Sequence, residues 1–324
     1  MPTETRSREL RPGELIRAAT IARRYYIDGV AKVDIANEFG ISRFKVARVL
    51  DEARTAGLVR IDIAVPAEID PELSDTLRRE FGVTEAVVVA SAEESPAAIR
   101  GDVARIAADY LTEVVAEGDV IGLACSRTLQ DMARALTTLP RLTVVQLTGV
   151  HPGGVEENSV ELVRRVASLA RGPAFPVYAP LVVADAATAH GLRGQPQVAD
   201  AMQRYSDLTK AVVAIGSWDP PDSLVRDSLT SREGAELRER GARAEVCARL
   251  LGEDGRMISG LDERVIAITA AELRQVPEVI AVACGTHKSA AVRAVLEAGL
   301  ITALVTDSGT ARAVLAEHAS RPGP

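Results

Sequence analysis

The stretch Asp34-Ile35-Ala36-Asn37-Glu38-Phe39-Gly40-Ile41-Ser42-Arg43-Phe44-Lys45-Val46-Ala47-Arg48 decides how the N-terminal part of this chain folds. Apolar residues keep helical spacing on both sides of a single glycine. Gly40 supplies the sharp turn between the two helices, because a residue without a Cβ takes a positive φ at little cost. Ile41 is the apolar plug of that turn. Ser42 stands at the N-cap, its hydroxyl able to hold a free N–H of the next helix. Asp34-Ile-Ala-x-x-x-Gly40-Ile-Ser42 is the helix-turn-helix spacing. In that motif the second helix braces the DNA backbone and the third enters the major groove, first turns nearest the base edges.

Working outward, Leu15, Ile16, Ala19, Ala22, Tyr25 and Tyr26 predict a first helix over Glu14–Asp28, ended by Gly29. A second helix over Lys32–Phe39 is expected to bury Val33, Ile35, Ala36 and Phe39. The third, Arg43–Ala56, turns Val46, Val49, Leu50 and Ala53 inward and stops at Gly57. Leu58–Ile63 alternates as a wing-like strand does. The residues left outward at the start of the third helix are Ser42, Arg43, Phe44, Lys45 and Arg48. Arg43 and Lys45 can donate to guanine edges or phosphates, and Arg48 fits a phosphate. Phe44 can touch a thymine methyl or pack on a neighbouring helix. Lys32, opening the second helix, completes the DNA-binding candidates. Residues 1–60 hold twelve Lys/Arg against eight Asp/Glu, while the remainder holds 26 against 37. A basic head on an acidic body fits a double-stranded DNA partner, since phosphate contacts are electrostatic.

The chain has 324 residues, enough for two domains, with 47% hydrophobic and 26% charged residues. Aromatics are 3%, so Ala, Val, Leu and Ile must build the core, as suits buried parallel strands. No apolar run approaches a membrane span and the first twenty residues are charged, which predicts a cytoplasmic protein with no membrane partner. Cys125, Cys247 and Cys284 are far apart, without disulfide or zinc spacing. No metal, no cofactor and no catalytic residue is assigned. Asp70-Pro71 opens a short amphipathic helix to Phe81, a linker or dimerisation element. The expected division is therefore a DNA-binding domain over 1–65, a linker or dimerisation helix over 66–82, and an effector domain over 83–324.

From Val83 onward apolar segments and helical segments alternate. Strands are expected at 86–90, 120–124, 143–147, 177–180, 211–215, 265–268, 279–283 and 302–306. Helices are expected at 96–115, 128–137, 160–169 and 289–298, among others. The fold class is α/β: a small all-α, winged helix-turn-helix domain, then a large, doubly wound, mostly parallel sheet. Ligands of such sheets bind beyond the carboxyl ends of the strands. Four corners qualify. Gly122-Leu-Ala-Cys125-Ser126-Arg127-Thr128 runs from strand to helix and suits an anion, with Ser126, Arg127 and Thr128 as donors. Gly149-Val-His151-Pro-Gly-Gly154, continuing to Asn158, lets backbone approach a ligand, with His151 or Asn158 for hydroxyls. Ile215-Gly216-Ser217-Trp218 ends a buried strand, and Trp218 either stacks on a ligand or caps the sheet. Cys284-Gly285-Thr286-His287-Lys288 brings a lysine to a helix start, a point charge for phosphate or a sugar oxygen. Asp307 is placed to cap the final helix.

Taken together, Ala22–Gly29 and Asp34–Arg48 resemble the SorC family of sugar-responsive transcription regulators, and the likeness resumes in the C-terminal half. Gly285-x-x-Lys288 and Thr306-Asp307-x-x-Thr310-Ala311 match that family's pattern, as does Ile215-Gly-Ser217. The resemblance implies a head and a large effector domain that senses a sugar, polyol or sugar phosphate and modulates operator binding. It also implies a homo-oligomer, dimer or tetramer, and a pocket completed by Gly241–Arg249 and Asp254-Gly255, with Glu245 as a sugar-hydroxyl acceptor. Where the family commonly has an aromatic and a glycine, this chain has Cys125 and Ser126, a wider pocket with an added Cβ. Effector domains of the family are similar in fold to sugar-phosphate isomerases and deaminases. An enzyme with a DNA-binding head is therefore the alternative, with Asp207, Glu245 or Asp307 as general base. No loop gathers Asp, Glu and His together, and a basic head serves no evident catalytic purpose, so a regulator is the expectation. An effector-free architectural DNA-binding protein would not need the glycine-rich corners.

Overall fold

The computed structural model describes residues 12–59, 68–91, 95–151 and 158–320. Internal contacts divide the chain into two units, residues 1–64 and 65–324.

In the first unit α1 (Pro12–Tyr26), α2 (Lys32–Phe39) and α3 (Arg43–Thr55) enclose a small core. Ile21, Ile35, Val46, Leu50 and Ala53 are its buried centre, with Tyr25, Phe39, Ile41 and Val49 half-buried around them. Gly40 adopts φ 61°, ends α2, and sends the chain into the turn, where the Ile41 N–H donates to Ala36 O at 2.9 Å. Ser42 then caps α3, its Oγ accepting the Lys45 N–H at 3.2 Å. An Arg24–Glu38 pair at 3.0 Å fastens α1 to α2. Four positions expected on the apolar faces lie outside. Ile16 is 71% and Val33 51% exposed, and Ala19 and Tyr26 are exposed as well. At 100° per residue Ala18, Ile21, Ala22 and Tyr25 form one stripe, and Ile16 falls off it. Of the expected wing, only Leu58 and Val59 lie within the described residues, in irregular backbone.

The second unit begins with α4 (Pro71–Phe81), capped by Asp70, whose carboxylate accepts the Leu73 N–H at 3.0 Å. Leu77 is buried, and Ser74 Oγ accepts the Val88 N–H at 3.0 Å, so this helix is seated on the large unit itself. The chain continues through β1 (Glu85–Val89), α5 (Pro96–Val114), β2 (Val120–Leu123), α6 (Arg127–Ala135), β3 (Thr143–Gln146), α7 (Ser159–Leu169) and β4 (Ala174–Phe175). Helices α8 (Ala186–Arg193) and α9 (Pro196–Gln203) lead to β5 (Lys210–Ala214). Then come β6 (Gly216–Ser217), α10 (Leu224–Asp227), α11 (Ser231–Glu239), β7 (Ala244–Val246), β8 (Arg249–Leu251), β9 (Met257–Ile258) and α12 (Ala270–Leu273). The unit closes with β10 (Glu278–Val282), α13 (Ser289–Glu297), β11 (Ala303–Asp307) and α14 (Ser308–Ala319).

Seven strands form one sheet, in the order β1-β11-β10-β5-β2-β3-β4, every neighbour parallel. This is the α/β architecture the alternating pattern predicts. Ile121, Leu123, Val144, Val212, Ile280 and Val305 are buried on it, as nearly continuous apolar strands should be. From β2 the chain winds outward to β4, then returns to β5 and winds the other way through β10 to β11, beside which the first strand, β1, forms the edge. The switch point therefore lies between β2 and β5, where a crevice opens at the strand ends. A second sheet, β6-β7-β8-β9, is antiparallel and was not expected. Its strands span two or three residues, too short to show a pattern. Conversely, Val177–Pro180 and Val265–Ile268 read as strands but make isolated bridges, Val150 with Pro180, Val182 with Val265 and Thr148 with Ala267.

Candidate functional site

A cavity of about 660 Å³ opens at the switch point. Its wall is made where β2, β3, β5, β10 and β11 run out into loops, together with Asp222–Val225 and the β7–β8 hairpin. Cys125, Ser126, Arg127, Thr128, Gly149, His151, Gly216, Glu245, Gly285, Lys288 and Asp307 all line it. Two expected residues do not. Gly122 lies within β2 with the Leu147 side chain packed over it. Asn158 caps α7, its Oδ1 accepting the N–H groups of Val160 and Glu161. Pro152–Glu157 of the second corner lie outside the described residues.

Three carboxylates stand on the wall, and the sequence points to Glu245 and Asp307 but not to Asp222. Asp222 Oδ1 takes Arg127 at 2.6 Å, while Oδ2 faces His287 Nε2 at 2.9 Å and Lys288 Nζ at 3.1 Å. Burial pushes this carboxyl up, but the His287 hydrogen bond and the Lys288 and Arg127 charges outweigh it and hold it below the usual range. Lys288 also donates to Ile215 O at 3.2 Å.

Glu245 is buried at the foot of the cavity. Its Oε1 accepts from Ser223 Oγ at 2.9 Å and its Oε2 from the Ala248 N–H at 3.0 Å. Burial raises its pKa, against the Ala248 and Ser223 donors and the Lys288 charge. Gly216 is needed beside it, since a Cβ there would lie 2.1 Å from Glu245 Oε1. The donor Ala248 comes from a two-residue hairpin turn in which Cys247 (φ 50°) and Ala248 (φ 64°) both take positive φ. Asn-Gly is the usual choice there. Cys-Ala accepts backbone strain at the cavity wall and gives no turn signal in sequence.

Other expected residues are engaged in structure. Ser126 caps α6 through the Leu129 N–H at 3.1 Å. Asp307 caps α14 through the Thr310 N–H at 2.9 Å, as expected, and also accepts the Gly285 N–H at 2.8 Å. All three cysteines line the cavity, and burial pushes the thiols of Cys247 and Cys284 up, which leaves them poor nucleophiles. Trp218 is buried with Nε1 donating to Gly234 O, so it is a core residue of the smaller sheet. Asp207 is exposed in a 3-10 turn beside Arg204, outside the cavity lining.

On the first unit, Ser42, Arg43, Phe44, Lys45 and Arg48 are exposed along the start of α3. Phe44 is 77% exposed, with the Arg43 guanidinium 5.4 Å from its ring centre, so it does not pack into the head. Arg48 pairs with Glu52 at 3.5 Å. Lys32 lies 5.0 Å over the Tyr25 ring.

Known proteins are similar to this chain. The family described as "Putative sugar-binding domain" matches residues 66–316. The chain is 30% identical over 304 residues to the transcriptional regulator LsrR of Klebsiella pneumoniae, covering 92% of each chain. It is 29% identical over 303 residues to the transcriptional regulator YjhU of Escherichia coli K12, covering 90% of this chain and 92% of that one. The crystal structure of the full-length sorbitol operon regulator SorC of Klebsiella pneumoniae superposes with TM-score 0.72 at 24% identity, over 94% of this chain and 99% of that one. These relatives are named as regulators. The family match over residues 66–316 and the likeness to these regulators make the chain a member of the SorC family, a transcriptional regulator with a sugar-binding domain.

Proposed function

We propose that this protein regulates carbohydrate metabolism by binding double-stranded operator DNA through α3. A sugar, polyol or sugar phosphate held in the cavity modulates that binding. The observation that carries the reading is the cavity, which gathers the ends of five parallel strands and eleven independently nominated residues. The division of labour is residues 1–65 for DNA, 66–82 for connection and dimerisation, and 83–324 for the effector. Arg43 and Lys45 read base edges or phosphates, Arg48 and Lys32 neutralise phosphates, and Ser42 sets the start of the helix. The protein works in the cytoplasm as a homodimer or homotetramer, so that two heads meet two half-sites of a symmetric operator. The effector acts through its difference in affinity for DNA-competent and DNA-incompetent states, a coupling of about 1–3 kcal/mol.

A Lys288→Ala variant tests the pairing of cavity with response. Operator affinity in a gel shift is expected to stay within about twofold of wild type, while release by the effector is lost. Unchanged release in that variant would remove the cavity from the mechanism. The effector itself is found by a thermal-shift screen of sugars, polyols and their phosphates, because a ligand of the folded state raises the melting temperature.

A further inference from the structure

We propose that Asp222 sets the charge selectivity of the cavity: its carboxylate holds the seat on Arg127, His287 and Lys288 that a phosphate would need, so the effector is an uncharged polyhydroxy compound. This rests on the sensing reading above and narrows it.

The seat is filled from within the chain. One carboxylate faces three nitrogen-bearing side chains, at 2.6 Å from Arg127, 2.9 Å from His287 and 3.1 Å from Lys288. Asp222 is held in place by its backbone, which exchanges two hydrogen bonds with Ser217, both 2.9 Å. The next residue, Ser223, is tied to Glu245. A ligand anion would therefore meet a fixed negative charge beside the very cations it seeks. The remaining arginines of the wall are paired too, Arg100 with Asp131 at 2.9 Å and Arg312 with Asp70 at 3.7 Å.

Backbone donors show the same pattern. The Leu129 N–H of α6 is accepted by Ser126 Oγ, and the Thr310 and Gly285 N–H groups by Asp307. An anion cradle keeps such groups for its ligand. Here the chain's own oxygens take them. Ser126 Oγ is one of those oxygens. Asp222, Asp307 and Glu245 bring three carboxyl groups to the same wall, and a doubly charged phosphate next to them is opposed by like charge. Hydroxyl groups face no such conflict. Each can donate to a carboxylate and accept from the Lys288 ammonium. A cavity of about 660 Å³ has room for such a molecule with bridging water.

The test uses the full chain, wild type and Asp222→Asn, in thermal-shift and calorimetric titrations. The probes are five- and six-carbon aldoses, ketoses and alditols, each beside its terminal monophosphate, and inorganic phosphate. Wild type is expected to bind at least one uncharged probe, and its monophosphate about tenfold or more weakly. Asp222→Asn is expected to bind inorganic phosphate about tenfold or more tightly than wild type, and adding Lys288→Met should abolish the gain. Asp222→Ser repeats the measurement should the asparagine variant misfold. A wild type that prefers a monophosphate to its parent sugar overturns the charge assignment and leaves the sensing reading standing. The same holds if neither Asp222 variant gains phosphate affinity. If Asp222→Asn gains phosphate but no sugar or polyol stabilises wild type, the sensing reading falls instead, and the assignment of an uncharged effector with it.

Discussion

The start of α3 and the wall of the cavity are both rich in cationic side chains, yet they treat charge in opposite ways. On α3, Arg43 and Lys45 are exposed and form no ion pair among the described residues. In the cavity, Arg100, Arg127, Lys288 and Arg312 each have a carboxylate partner. The difference follows from what each surface must exchange. A cation facing DNA trades mobile counterions for phosphates, so a built-in partner would only compete. Lys288, only 16% exposed, has lost most of its hydration, and left unpaired it would destabilise the fold. Charge count alone therefore says little about ligand charge, and the pairing says more.

The largest way to break this comparison is to remove one surface and ask whether the other survives. Ile35 is wholly buried among three short helices, and Ile35→Ala should cost about 2–5 kcal/mol of head stability. Operator binding in a gel shift should collapse, while effector-induced thermal stabilisation of the large unit stays. Loss of both would mean that the two surfaces are not separable. Arg43→Ala comes next, expected to lose about 1–3 kcal/mol of discrimination at one base position, read by competition between operator variants. Arg48 already has Glu52 as a neighbour. Arg48→Ala should weaken all sequences alike and lower the salt slope by about one. Ser42→Ala removes the cap of α3 and should cost about 1 kcal/mol, visible as a lower denaturation midpoint of the head.

The same contrast explains what could be read without coordinates. The head was legible because a turn glycine, a cap and an apolar stripe are local signals, each acting within four residues. Its errors, at Ile16, Ala19, Tyr26 and Val33, are errors of phase on helices with little apolar excess. The parallel sheet was legible from runs such as Ala211–Ile215, and the strand-end rule then led to ten cavity residues, Glu245 being implied by the family resemblance alone. Asp222 was not legible. It stands in Asp219-Pro-Pro-Asp222, an ordinary turn composition, and acquires meaning only when Arg127 and Lys288, 95 and 66 positions away, fold against it. The strained Cys247-Ala248 turn was hidden for a related reason, since its reward is a hydrogen bond to Glu245 that no propensity records.

Glu245 offers the smallest and sharpest test, because it is the acid of the cavity with only partial compensation. Burial raises its pKa in the folded protein above that of the unfolded chain. Between those two values the native state holds a proton that the unfolded state has released, so stability falls as pH rises through this window. Above the folded value the full cost of the buried charge is present, and below the unfolded value it is gone. A glutamine at this position still accepts the Ala248 N–H and can hydrogen-bond Ser223, without the charge. Glu245→Gln should therefore be more stable than wild type at pH 8, read as a higher denaturation midpoint, with the gap closing as pH falls into the ordinary carboxylate range. Asp222 shifts the opposite way and supplies the control. Its pKa is lowered in the fold, so the stability it contributes is present above the unfolded value and lost as pH falls through the folded one. A gap between Glu245→Gln and wild type that widened toward acid would mean that Glu245, like Asp222, is a carboxylate the cavity stabilises as an anion.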